Sequence, residues 1–211
     1  MDENLKTLNL KVLENTAAAL RANNFQAAVY GTGAEAASAV LALAGGKKVG
    51  LGGSVTLKTL GLPGSLEAAG GEIITHKPGM SAEEKRSVWL AAQASDLYLA
   101  SPQAVTLDGK LIFIDGNGNR GAAVIYGPRK IVLLAGINKI VKDQEEGLWR
   151  SRNKAAIANN LRLKKDNPCV RTARCSDCSS PWRICNAVTL LWKKPSASDI
   201  LVLLINEELG Y

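Results

Sequence analysis

Apolar positions along this chain follow two alternating periods. Leu5, Leu8, Val12, Leu13, Ala17 and Leu20 fall at helical spacing, with Asp2 placed to cap the start and Asn23-Asn24 to stop it. Phe25–Tyr30 then reads as a short strand, residues 34–44 as a helix ended by Gly45-Gly46, and residues 47–51 as a buried strand. A helix is expected from Ser54 to Leu60, a strand at Ile73–Thr75, and a helix from the capping box Ser81-x-x-Glu84 to about Ala94. Asp96–Ala100 is the next strand. Ile131–Ala135 is a near-continuous apolar run of the kind a parallel sheet buries on both faces. A helix over residues 143–161 and a last strand at Ile200–Asn206 complete the pattern. Strand and helix in alternation predict an α/β fold: a mostly parallel sheet with helices on both faces.

One segment breaks the rhythm. Residues 167–198 hold all four cysteines, three of the seven prolines and little periodicity. The strand at Ile200 follows, so the expected organisation is a single domain over 1–211 with a cysteine-bearing insertion before its last strand.

The 211 residues suffice for one well-buried domain, and aromatics at 5% leave the core to aliphatic side chains and alanine. The longest apolar run, Ile200–Ile205, is far too short to span a bilayer, and no leader is visible, so a cytoplasmic protein is expected. The net charge of +7 is local: Arg150–Lys194 carries 11 Lys/Arg against 2 Asp/Glu, and the rest carries 15 against 17. Such a surplus is either a solvated basic face or a place for an anionic partner. Trp149, Trp182 and Trp192 lie in or beside it. Interleaved aromatics and basic residues suit single-stranded nucleic acid, but no nucleic-acid-binding motif is present, and packing of the cysteine segment explains them as well.

The most informative stretch is residues 104–141. Asp108-Gly109 between Val105–Leu107 and Lys110–Ile114 predicts a hairpin with a type I′ turn. Asp115-Gly-Asn-Gly-Asn-Arg120 follows as a backbone-permissive loop, then Gly127-Pro128 and Gly136-Ile-Asn-Lys-Ile-Val141. These motifs, with Ser101, Ala104, Thr106 and the earlier Gly52-Gly-Ser-Val-Thr-Leu57, resemble the lactate-utilisation (LUD) domain family. Gln103 stands where that family's pattern has asparagine. The resemblance implies a fold like that of sugar-phosphate isomerases, glucosamine-phosphate deaminases and coenzyme A transferases. It also implies a component of lactate oxidation that works with iron–sulfur oxidoreductase subunits, or a relative serving a similar small acid.

Three constellations are candidates for chemistry. Gly52, Gly53, Ser54 and Thr56 follow a strand and open a helix, either as an anion site or as a tight turn with Ser54 as its cap. Asn119 and Arg120 are candidates for holding a small anionic ligand, with Asp115 and Lys139 as catalytic acid, base or point charge. The plainer reading pairs Arg120 with Asp115. Asp108, in a turn, reads as structural. Cys169-x5-Cys175-x2-Cys178-x6-Cys185 can serve an iron–sulfur cluster, zinc, or a set of reduced or redox-active thiols; the family resemblance favours iron–sulfur. The spacing matches neither a zinc ribbon nor a ferredoxin run. His76 is the one histidine, which leaves no His-pair metal site and little room for a Ser-His-Asp triad. The alternatives to a lactate-utilisation component are an independent isomerase or acyl/CoA transferase, and a non-catalytic sensing or assembly module with structural zinc.

Overall fold

The computed structural model describes residues 2–211. Helix α1 (Glu3–Ala22) begins where the Asp2 carboxylate accepts the amides of Asn4 and Leu5. It is followed by β1 (Gln26–Tyr30), α2 (Gly33–Ala44), β2 (Lys48–Leu51), α3 (Val55–Thr59), α4 (Leu62–Ala68) and β3 (Glu72–Ile74). Next come α5 (Ala82–Gln93), β4 (Leu97–Ala100), the hairpin β5 (Ala104–Thr106) and β6 (Leu111–Asp115), α6 (Asn119–Tyr126) and β7 (Lys130–Gly136). A 3-10 turn (Ile137–Lys139) leads into β8 (Ile140–Val141) and α7 (Gln144–Arg150). A π-helical turn (Ser151–Ala155) continues directly into α8 (Ala156–Arg162). Finally come α9 (Pro168–Thr172), β9 (Ala187–Leu191) and β10 (Asp199–Ile205).

Six strands form an all-parallel sheet in the order β1-β10-β7-β4-β2-β3. Its two faces bury separate aliphatic clusters. One packs Ala36, Val40, Leu57, Leu62 and Leu66 of α2, α3 and α4 against Val132, Leu134 and Leu203. The other packs Leu13, Ala17 and Leu20 of α1 with Ala123 and Val124 of α6 against Ile131, Leu133 and Val202. Val105, Leu111, Phe113 and Leu191 join this second cluster from a smaller sheet, ordered β8-β5-β6-β9. The expected α/β architecture with helices on both faces is therefore present.

Four local expectations change. Helix α4 is hidden in the sequence by Leu62-Pro63-Gly64; the proline sits in its first turn, where the missing N–H costs nothing. The cysteine segment is not all irregular, because β9 pairs antiparallel with β6 from Asp115↔Ala187 to Leu111↔Leu191. The hairpin turn is not type I′. Among its residues only Gly109 has positive φ, +79°, and its amide donates to the Thr106 carbonyl at 2.9 Å. That is the pattern of an ordinary turn closed by one left-handed residue. Lastly, Trp149, Trp182 and Trp192 are more than half exposed rather than packed as anchors. Lys154 lies over the Trp149 ring and Lys165 over the Trp182 ring.

The chain from β2 turns outward to β3 and returns to β4, after which connections run the other way, through β7 to β10. The crevice beyond the carboxyl ends of β2 and β4 is thus the topological switch point, where open α/β sheets bind ligands.

Candidate functional site

A cavity opens at this switch point. Gly53, Ser54 and Thr56 supply one wall from the β2–α3 connection, and Ser101, Pro102 and Gln103 supply another from the end of β4. Arg120 of α6, Lys139 after β7, and Ser151, Ala156, Asn159 and Arg162 of the α7–α8 helix close it. No Asp or Glu side chain lines it.

Lys139 is only 2% exposed. Its ammonium donates to Ser101 Oγ at 2.6 Å and to Thr56 Oγ1 at 2.8 Å. Both acceptors are neutral, and no ion pair of Lys139 is formed among the described residues. Burial, then the Arg150 and Arg120 guanidiniums, hold its pKa well below the ordinary lysine value. Thr56 in turn reaches the Leu209 carbonyl at 3.2 Å. The chain end is tied to the same place: Asn138 Nδ2 donates to the Gly210 carbonyl and Asn138 Oδ1 accepts the Leu209 amide. Tyr211 thereby lines the cavity.

Asp115 is 4% exposed, and both of its carboxylate oxygens are hydrogen-bonded. Its Oδ1 accepts from Arg120 Nε at 2.6 Å and its Oδ2 from the Gly121 amide at 2.9 Å. Arg120 also donates to the Ile114 carbonyl at 2.6 Å. One carboxylate oxygen thus holds Arg120 beside the cavity and the other the Gly121 amide, and Asp115 is not in the lining. Ser54 caps α3 by accepting the Leu57 amide. Gly52 and Asn119 lie outside the lining, Gly52 against Tyr98 and Arg120. Burial raises the pKa of Tyr98 well above the usual phenol range. Asp108 accepts from Thr106 and pairs with Lys110 in the hairpin turn, as a structural residue does.

Gln103 makes the bond its position requires. Its Oε1 accepts the Ile114 amide and its Nε2 donates to the Ile114 carbonyl, bridging the end of β4 to β6. Arg150, only 7% exposed, donates to the carbonyls of Gln103 and Asn138 and so fastens the two cavity loops together. The lone His76 accepts from Trp89 Nε1 at 3.3 Å, edge-on to that ring, and lies beside Gly53. Burial, then Lys85, Lys58 and Arg162, lower its pKa.

Sequence reasoning missed Gln103, Asn159, Arg162 and Tyr211 as cavity residues, and Arg150 as the side chain that ties the cavity loops together. Ser101 was legible as a motif position, and its place one residue past a strand end was the available signal. The helical residues carry no such signal. The π turn shifts the register there by one residue, and the Ala156 amide donates to the Ser151 carbonyl five residues back. π turns of this kind frequently mark functional sites.

The four cysteines come together. Cys169 of α9 and Cys175, Cys178 and Cys185 of the following loop all line a second small cavity, with Arg152, Ala156 and Asn160 of the π turn and α8 behind them. None is in a disulfide. No group of three or more His, Cys, Asp or Glu side chains among the described residues stands close enough to hold one metal ion.

No helix among the described residues is long and apolar enough to cross a membrane. No curated protein matches the chain. A crystal structure of a DUF162 family protein from Deinococcus radiodurans superposes with a TM-score of 0.54 at 14% identity, covering 93% of this chain and 98% of that one. At this identity the likeness speaks for the fold. The structure of eIF2B beta from Chaetomium thermophilum matches at a TM-score of 0.33 and 15% identity, over 63% of this chain and 44% of that one. The model of the LUD domain matches residues 13–205, nearly the whole of the two-faced sheet and the switch-point cavity, and the chain belongs to the LUD domain family.

Proposed function

We propose that the chain binds a small carboxylate of the lactate or pyruvate type in the switch-point cavity and serves lactate utilisation there. Family membership supports the lactate-related role. The observation that carries the ligand class is Lys139, a buried amine with hydroxyl partners alone, in a cavity with Arg120 and Arg162 and no acidic side chain. A buried cation without a counter-ion is costly, and an entering carboxylate supplies that counter-ion. The cavity offers about 50 Å³, room for a few waters or a three-carbon acid rather than a nucleotide. The Ser101 and Thr56 hydroxyls are at hand for the hydroxyl or keto oxygen of such an acid. The alternative of an isomerase or acyl transferase working through Asp115 is less favoured, because that carboxylate is committed to Arg120. Binding of the acid is the reading this geometry favours, and its presentation to iron–sulfur oxidoreductase partners rests on the family resemblance. Four unpaired thiols suit a reducing compartment such as the cytoplasm.

Isothermal titration of the full chain with L-lactate, pyruvate and neutral lactamide tests this. The two acids are expected to bind and the amide not. Lys139→Met is expected to weaken the acids by at least ~10-fold, the worth of one charge-assisted hydrogen bond. Absence of binding by either acid refutes the proposal.

A further inference from the structure

We infer that Lys139 takes up a 2-keto acid such as pyruvate as a covalent iminium, whereas a 2-hydroxy acid is held without a bond. This rests on the proposal that the switch-point cavity admits a small carboxylate, and goes beyond it in assigning a reaction to the amine. Lys139 lines the cavity although it is only 2% exposed, and Ser101 Oγ and Thr56 Oγ1 accept from its nitrogen at 2.6 and 2.8 Å. The hydroxyl protons are directed elsewhere: Ser101 donates to Thr56 Oγ1 at 3.2 Å, and Thr56 to the Leu209 carbonyl at 3.2 Å. Neither is spent on the amine. A neutral Lys139 therefore gives its two N–H groups to the hydroxyls and keeps its lone pair on the remaining side of Nζ.

A lysine placed for structure alone is met by a carboxylate. Here Asp115 is spent on Arg120, and no Asp or Glu side chain lines the cavity. An ordinary lysine at pH 7 is neutral in only roughly one copy in a few thousand and has no lone pair to attack with. Burial and the guanidiniums of Arg150 and Arg120 relieve this by holding Lys139 well below the ordinary value. Desolvation and a neighbouring cation are two means by which an amine is made nucleophilic toward carbonyl compounds. Charge then chooses among those compounds. Arg162 lines the cavity with Nε and Nη2 bonded to the neutral Asn159 Oδ1 at 3.0 and 2.7 Å, so its charge is left for a carboxylate. A 2-keto acid brings a carbonyl carbon and a carboxylate on adjacent atoms. A simple ketone brings only the first, and lactate only the second.

The step balances without an oxidant. The Nζ lone pair forms a bond to C2, and the carbonyl π pair moves to oxygen. One proton passes from nitrogen to that oxygen and gives a carbinolamine. The nitrogen lone pair then expels the C2 hydroxyl, which leaves as water with one proton taken up from solvent. Ser101 Oγ, in contact with Nζ, is placed to relay these protons. The iminium keeps the positive charge at the buried nitrogen, and the acid's own carboxylate offsets it.

The test uses the full chain in neutral buffer with pyruvate and sodium cyanoborohydride, which reduces an iminium to a stable secondary amine. Intact mass and peptide mapping are expected to show one reduced adduct per chain, on Lys139. It should form at least ~10-fold faster than on the exposed Lys58 and Lys142, the ratio that one unit of pKa depression gives. L-Lactate should give no adduct and should slow labelling by pyruvate, and acetone should label far more slowly. Lys139→Met should lose the adduct; should that variant fail to fold, the peptide map of the unsubstituted chain decides. Calorimetric binding of pyruvate with no trapped adduct, or labelling spread over exposed lysines and unaffected by lactate, overturns the inference and leaves acid binding in place. Binding of neither acid removes the acid site itself, and the inference with it.

Discussion

Lys139 is the residue whose cost is easiest to explain by function. In the unfolded chain it keeps its proton up to about pH 10.4, whereas in the fold it loses it well below that. Between the two values the unfolded state binds the extra proton, so this group's contribution to stability rises with pH. Lys139→Met removes the penalty, so its gain in melting temperature over the unsubstituted protein is expected to be larger at neutral pH than near pH 10. That gain should shrink as pH approaches 10; a gain that does not change with pH would contradict the buried, depressed amine. Ligand binding carries the opposite proton balance. A bound carboxylate favours protonated Lys139, so acid binding should take up a proton and weaken as pH rises. Titration in two buffers of different ionisation enthalpy measures this. Asp115→Asn leaves Arg120 beside the cavity without its counter-charge. A loss of about 3 kcal/mol in urea unfolding is expected for one half of a buried ion pair.

Elements set the cavity by close approach as much as by side chains. Gly136 ends β7 where a Cβ would lie 2.4 Å from the Glu207 carbonyl oxygen and 2.8 Å from the Leu209 amide nitrogen. Backbone cannot yield there as a flexible side chain does. Gly136→Ala is therefore expected to lift residues 207–211 off the 3-10 turn and unseat Tyr211. Hydrogen exchange should show faster amides in that segment with the strand interiors unchanged. Gly109 works alike at the hairpin: its left-handed turn rests on the backbone of Ala19 and Leu20 in α1, and Asn23 Nδ2 donates to its carbonyl. The π turn is the third such device. It lets one helix present Ser151, Ala156, Asn159 and Arg162 to the acid cavity and Arg152 and Asn160 to the thiols.

Across the whole molecule the switch-point cavity and the cysteine module sit on material of unequal strength. The parallel sheet is buried on both faces, with every residue of β4 and most of β7 and β10 inaccessible. The cysteine module has little core: Cys169 is buried, the other three are half-buried, and Trp182 lies outside. Asn167→Ala, which removes the bonds to Asn160 Oδ1 and the Trp182 carbonyl, is expected to speed hydrogen exchange over residues 168–186 and along β9. The central strands should keep their protection, since their stability is carried by the sheet. Uniform loss of protection would mean that the cysteine module supports the entire fold.

Local patterning determined most of the elements. The two hydrophobic periods, the Asp2 and Ser81 caps and the apolar runs of β7 and β10 are short-range signals, and each element stands within a residue or two of its expected place. The exceptions have two causes: α4 starts behind a proline, a local feature, whereas β9 is a strand only because the distant β6 pairs with it. The sequence likewise contained Ser54, Thr56, Arg120, Lys139 and the four cysteines as candidates. Tertiary structure decided their partners. It committed Asp115 to Arg120 and left Lys139 with hydroxyls alone. It also brought Arg162 and Tyr211 to a cavity more than a hundred residues from Gly53. Strand order and a one-residue helical register set these distances, and neither is written in any single stretch of chain.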